Sequence, residues 1–394
     1  MKKLICLLIV LILVFAGCGR HPNSGTTDIT TAPTGDHAGT VSHIPDQEPM
    51  YAAAVPAKSE AVTAEDGTVI FTYTHQNLML TLPDPDVADK IIIDFLGRMD
   101  STRTTADATL ASAKAAYSAS ASWVPYLYSI TYSPTRMDQG VLSLFGSNVI
   151  YSGTSHPERV CVSANYDLVT GDVLTLGSIM SVQASTEDFC RLTLETLAKM
   201  KESKYLYEGY EAAVRQRFQR DESQDQDWYF TQTGLCFYFA PYEIAGYASG
   251  VIVAEIPYEK LTGLLYNGYF PAERHTTDSA VQVSRFDEID PDDFTQIAET
   301  IIDPDGEMVF LYTDGLVWDV QIQVGTLDAG RTAFSEIYTA LFSHTLSPGD
   351  AIMVQTLFSD TTNVIRLTYN TNTGTVTRYL SRNESNGAIL LTEK

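Results

Sequence analysis

Metal-binding and redox spacings are missing from this sequence. Its five cysteines include no C-x-x-C pair, and its seven histidines, at 21, 37, 43, 75, 156, 275 and 344, include no pair at i, i+4. Neither a zinc site nor a metallohydrolase helix is therefore encoded in a recognisable form, and no metal or cofactor is expected. No glycine-rich loop follows a predicted strand, which removes the nucleotide-binding folds built on one. Basic residues are also scarce. Twenty-five Lys and Arg stand against 49 Asp and Glu, a formal charge of −24. That balance argues against nucleic acid and against docking on anionic lipid, and favours cationic partners or solubility outside the cell.

Apolar runs long enough to span a bilayer are absent too. The run over residues 4–16 follows Lys2 and Lys3, is too short to cross, and passes into Phe15, Ala16, Gly17 and Cys18. A basic start, a short apolar segment and small residues before a cysteine read as a lipoprotein signal peptide over residues 1–17. Cys18 is then the lipid-attachment residue. A diacylglycerol on its thiol plus further acyl chains such as palmitate would anchor the protein outside the bacterial cell membrane.

Large aliphatic side chains are nearly lacking over residues 18–62, where Thr, Gly, Pro, Asp, Ser and Ala dominate. Such a composition cannot bury enough apolar surface to order itself and predicts a tether. A flexible chain of that length has an end-to-end distance of roughly 35 Å. The cysteines beyond Cys18 are odd in number. Cys161 and Cys236 sit in strand-like runs and Cys190 in a helical one, so buried free thiols are expected rather than a bridge.

Beyond the tether the chain is patterned. Residues 68–82 alternate as a strand pair, and Asp84-Pro85-Asp86 then opens a helix with Val87, Ile91, Phe95 and Met99 on one face, continuing toward Tyr117. Runs at 123–132, 141–152 and 159–168 read as an antiparallel meander. A capping box at Ser185 and Asp188 starts a second helix with Phe189, Leu192, Leu197 and Met200 at helical spacing. Strands resume at 229–239 and 251–256. The fold class expected for residues 63–270 is α+β, an antiparallel sheet with two packed helices. A compositional break at 271–279 precedes a smaller β-rich C-terminal domain, residues 280–394, with strands near 281–286, 308–312, 316–324, 351–358, 364–369 and 376–380.

Most candidates for chemistry fail on spacing. Residues 153–157, GTSHP, lack the second glycine and following helix of a nucleophile elbow. Asp303-Pro304-Asp305-Gly306 resembles the middle of a calcium loop, but that register puts Ile301 and Tyr312 where acidic ligands belong. An Asp-rich turn accounts for it better. Paired carboxylates for glycoside hydrolysis are not singled out among 49 acidic residues.

Three segments carry a resemblance. NYDLVTGDVLTL (165–176), the turn SGTSHP (152–157) and above all FYFAPYEIAGYASG (237–250), with the helix between them, resemble an extracytoplasmic domain of unknown function. That domain is shared by the RsiV anti-sigma factor ectodomain, the N-terminal region of the PdaC peptidoglycan deacetylase and many bacterial lipoproteins. The resemblance covers about residues 65–270. Thr154 and Ser155 depart from the small residues usual before the histidine, and Ser178 from a commonly acidic position.

An anti-sigma role calls for a cytosolic domain and a spanning helix, and a deacetylase for an H-x-x-x-H pair; neither is found here. The RsiV ectodomain recognises lysozyme, so the resemblance implies a binding or sensing module for a cationic, lysozyme-like protein or for a cell-wall polymer such as peptidoglycan. A cell-wall glycan-acting enzyme and an accessory component of an envelope complex stay open as alternatives. The residues expected at a binding face are His156, Tyr242, Glu243 and Tyr247. Each also has a purely structural reading, and on that reading Tyr242→Ala destabilises the domain.

Overall fold

Four short strands open the described chain: β1 (Ala52–Ala54), β2 (Ala57–Thr63), β3 (Val69–Gln76) and β4 (Met79–Thr81). Asp84 then caps α1 (Pro85–Ala116) by accepting the Asp86 N–H at 3.0 Å, with Pro85 in the first turn. The helix buries Val87, Ile91, Phe95 and Met99 on one face, as their four-residue spacing dictates, and leaves Ile93 and Leu96 exposed. The meander comes next as β5 (Tyr126–Met137), β6 (Val141–Tyr151) and β7 (Glu158–Asp167). This computed structural model describes residues 48–117, 122–219, 227–272, 279–328, 330, 333–358, 364–383 and 385–393. The expected signal peptide, Cys18 and most of the expected tether lie outside them.

The middle of the chain holds α2 (Leu176–Ile179), α3 (Thr186–Lys199), α4 (Tyr210–Arg217), β8 (Trp228–Phe230), β9 (Gly234–Phe239), β10 (Ile252–Pro257) and α5 (Tyr258–Leu261). At the start of α3 the Asp188 carboxylate accepts the Ser185 N–H at 3.1 Å, as the capping box requires. The C-terminal third adds β11 (Val281–Arg285), β12 (Gln296–Ile301), β13 (Glu307–Thr313), β14 (Val317–Leu327), β15 (Phe334–Leu346), β16 (Asp350–Thr356), β17 (Val364–Thr371), β18 (Gly374–Arg382) and β19 (Ile389–Thr392).

These strands form four sheets. The orders are β2-β3-β5-β6-β7, β10-β9-β8, β11-β13-β16-β12 and β19-β18-β17-β14-β15-β1-β4. The chain is α+β with a β-rich C-terminal region, and the two helices of the sequence reading pack on different sheets. The α1 face meets Tyr128, Tyr132 and Tyr166 of the five-stranded sheet. Phe189, Cys190 and Leu197 of α3 meet Phe237 and Phe239 of the three-stranded one. Strand β9 is buried on both faces: its Tyr238 and Cys236 pack with Tyr229, Cys161 and Phe145, where the two sheets face each other.

That burial governs the thiols. Cys161, Cys190 and Cys236 are free and buried. Loss of hydration for the charged form pushes the Cys161 thiol up to about 11 and that of Cys236 up to about 12. A thiol reagent at pH 8, followed by peptide mass mapping, is expected to leave all three unlabelled in the folded protein and to label all three in denaturant. Labelling of Cys236 before unfolding would contradict the packing of β9.

Two expectations are corrected. Residues 52–62, read as part of a tether, hold β1 and nearly all of β2: β1 lies fully buried between β15 and β4, with Ala53 opposite Phe342 and Leu80. Alanine supplies little apolar area to a composition count, but its small side chain fits a closely packed interior. The domain break at 271–279 does not divide the fold, because the described residues form one compact unit. Phe342 of β15 joins the α1 core, and the Thr339 N–H donates to Ser133 Oγ at 3.2 Å.

Candidate functional site

The loop between β6 and β7 and the loop after β9 meet at one surface. In the first, Gly153 has φ +84°, and a Cβ there would stand 2.6 Å from the Tyr126 hydroxyl, so only glycine fits. Thr154 Oγ1 donates to the His156 carbonyl at 2.8 Å, closing the loop on itself. The His156 ring is left exposed.

In the second loop, Pro241 ends β9 and Tyr242 adopts φ 71°, a left-handed conformation that is unfavourable for a residue with a Cβ. Surrounding bonds hold it there. The Tyr242 N–H donates to the Ala245 carbonyl at 3.0 Å, and the Glu243 N–H to the Ala240 carbonyl at 3.1 Å. Glu243 Oε2 accepts the Ala240 N–H at 3.0 Å, and Oε1 pairs with buried Arg217. Gly250, at φ 66° and ψ −148°, then turns the chain into β10 through a region that glycine alone occupies readily.

The rings of the two loops pack together, His156 stacked on Tyr247 and Tyr242 tilted against it. His156 and Tyr247 lie 4.5 Å apart between centroids at 26°, and Tyr247 and Tyr242 are 5.5 Å apart at 31°. Tyr247 Oη donates to the Pro157 carbonyl at 3.3 Å, joining segments 90 residues apart. Together with Ile150, Ala240, Pro241 and Val160 they line an open cleft of about 440 Å³. Tyr242 is 58% exposed and Tyr247 37%, so aromatic surface is presented to solvent.

Three of the four expected contact residues are thus brought together, and the fourth is not. The Glu243 carboxylate is taken up by Arg217 and the Ala240 N–H, away from the rings. Tyr242 is also corrected: its ring is not a buried packing element, so its removal forfeits little beyond the contact with Tyr247. Sequence reasoning missed Glu158, Arg159 and Val160, the first three residues of β7, which line the cleft. Their only signal was adjacency to His156.

Other candidates hold no site. The Asp303 carboxylate accepts the Asp305 N–H at 3.0 Å within its own turn. Among the described residues no group of three His, Cys, Asp or Glu could hold a metal ion. No described helix is long and apolar enough to cross a membrane.

Comparison with known proteins bears on the second loop. Residues 187–259 match the model of a family described as protein of unknown function, DUF3298. A solved DUF3298 family protein from Pseudomonas aeruginosa PAO1 is 16% identical, with 58% of this chain and 99% of that one covered and a TM-score of 0.41. A DUF3298 family member from Bacteroides fragilis NCTC 9343 is also 16% identical, covering 56% and 96% at a TM-score of 0.38. No curated protein matches the chain. The segment that matches the DUF3298 model carries most of α3, together with β8, β9 and the Tyr242–Tyr247 loop.

Proposed function

We propose that this protein is an extracytoplasmic binding module, anchored to the bacterial cell membrane through a lipid on Cys18, whose aromatic cleft takes a cell-wall glycan. The exposed rings of His156, Tyr247 and Tyr242, the first two stacked and the third tilted against Tyr247, carry this reading. Pyranose rings have flat C–H faces, and laying such a face on a tyrosine removes apolar area from water while the sugar hydroxyls stay hydrated. The loops are tied together by the Tyr247–Pro157 bond, so little ordering is left to be done on binding.

Binding without turnover is the better-supported form. Hydrolysis by paired carboxylates needs two, and Glu158 is the one carboxylate among the residues lining this cleft. The second reading, recognition of a cationic lysozyme-like protein, is favoured by the net charge of −24. That charge would raise the rate of encounter with a basic protein more than its affinity.

Immobilised full chain in detergent should bind purified peptidoglycan fragments at low salt. Tyr247→Ala should weaken this roughly tenfold or more, as for aromatic anchors at binding surfaces. Tyr242→Ala should weaken it less, and neither should move the thermal midpoint appreciably. No binding to peptidoglycan alongside clear binding to lysozyme would transfer the cleft to the second reading.

A further inference from the structure

Among the described residues of this acidic chain, arginine is almost always paired with a carboxylate. Arg98, Arg103, Arg136, Arg191, Arg215, Arg217, Arg285, Arg366, Arg378 and Arg382 each have a carboxylate partner. Among the described residues Arg159 is the arginine that has none. Its Nη1 donates to Ser147 Oγ at 3.1 Å, a neutral acceptor that fixes the side chain without cancelling its charge. With 49 acidic residues against 25 basic ones, such an exception is not explained by a shortage of partners.

Position gives the exception a use. Arg159 lines the aromatic cleft and also a second one of about 360 Å³, walled by Ser133, Phe145, Gly146 and Cys161 on one side and Glu336, Ile337 and Tyr338 of β15 on the other. Ile337 is 62% exposed there. The two clefts therefore share a single cationic group at their junction. A ligand occupying both must be extended and must pass the guanidinium.

We infer that the site is continuous across both clefts and that Arg159 pairs with a carboxylate on a linear glycan whose sugar rings lie on Tyr247 and Tyr242. This rests on the glycan-binding reading above and adds the acidic group to it. A guanidinium offers a planar fork that matches a carboxylate in two parallel hydrogen bonds. The surrounding charge favours a singly charged group over a phosphate-rich one. Glu158 stands in the first cleft and Glu336 in the second, and Glu336 is already held by Arg366 at 3.1 Å and by the Gln323 amide at 2.7 Å. One free cation between two carboxylates leaves no compensation for a second negative charge.

Two probes test this on the full chain: a neutral N-acetylglucosamine oligosaccharide, and a peptidoglycan fragment of equal sugar count that carries carboxylates. The unsubstituted protein should bind the acidic fragment roughly tenfold more tightly, and the difference should shrink in high salt. Arg159→Gln should abolish the preference while keeping affinity for the neutral oligosaccharide, and Arg159→Lys should keep part of it. Circular dichroism melts should coincide for all three proteins, because the side chain is exposed. Equal affinity of the unsubstituted protein for both probes, or a preference that survives in Arg159→Gln, overturns the role of Arg159. If binding in that case still falls in Tyr247→Ala, the aromatic cleft stands without it. Failure of both probes to bind overturns both readings.

Discussion

Arg136→Ala will lower the unfolding free energy by about 3–5 kcal/mol, the range for breaking a buried ion pair by removing one partner. The Arg136 side chain is fully buried. Its Nε donates to Asp138 Oδ2 at 2.6 Å, and Nη1 donates to the Tyr258 hydroxyl at 2.6 Å and to the Tyr269 carbonyl at 2.7 Å. The guanidinium also lies 5.1 Å from the centre of the Phe230 ring. Asp138 Oδ1 meanwhile accepts the N–H groups of Gly140 and Val141, which shapes the β5–β6 turn. Alanine leaves the Asp138 charge, one hydroxyl and one carbonyl without their donor in the interior. The double substitution Arg136→Met with Asp138→Asn removes the stranded charge and should recover part of the loss. Chemical denaturation of the three proteins checks this, and a single variant within about 1 kcal/mol of the parent, below the bottom of that range, would refute the account.

Arg217→Ala is expected to act on stability and binding together. Arg217 pairs with Glu243, lies 3.3 Å from Asp227, donates to the Tyr238 carbonyl and covers the Phe239 ring at 4.6 Å. Its partners are partly open to water, with Glu243 and Asp227 23% and 31% exposed. Screening brings the expected destabilisation down to about 2–3 kcal/mol. The larger consequence is local. Without Arg217, Glu243 loses the bond that orients it toward the Ala240 N–H, and the unfavourable φ at Tyr242 loses part of its support. Peptidoglycan affinity should fall at least as far as in Tyr247→Ala, under conditions where circular dichroism still reports a folded chain. Full affinity in folded Arg217→Ala would show that the loop holds its shape unaided.

The candidate site is only partly legible in the sequence. The motif at 237–250 points to Tyr242, Glu243 and Tyr247, and the turn at 152–157 to His156. Their division of labour cannot be read from it. Glu243 is an anchor because Arg217 happens to lie beneath it, and Arg159 stands out only after every other described arginine has been matched to a carboxylate. The strand β15 escapes the pattern since its charged and hydroxyl residues interrupt the alternation, and β12 since it pairs in parallel with β16, 50 or so residues away. Parallel pairing leaves no turn signal between the partners.

Local periodicity determined α1, α3 and the β5–β7 meander by sequence alone. Those patterns are readable because side-chain direction repeats every two residues in a strand and every three to four in a helix. The burial of the three thiols came from the same patterns. Tertiary structure alone decided that an alanine-rich segment before residue 63 completes the C-terminal sheet, and that two loops 90 residues apart in sequence share one cluster of rings. It decided as well that one arginine in an acidic chain remains open at the junction of two clefts. Each of these depends on which distant residues come within a few ångströms, and no local repeat records that distance.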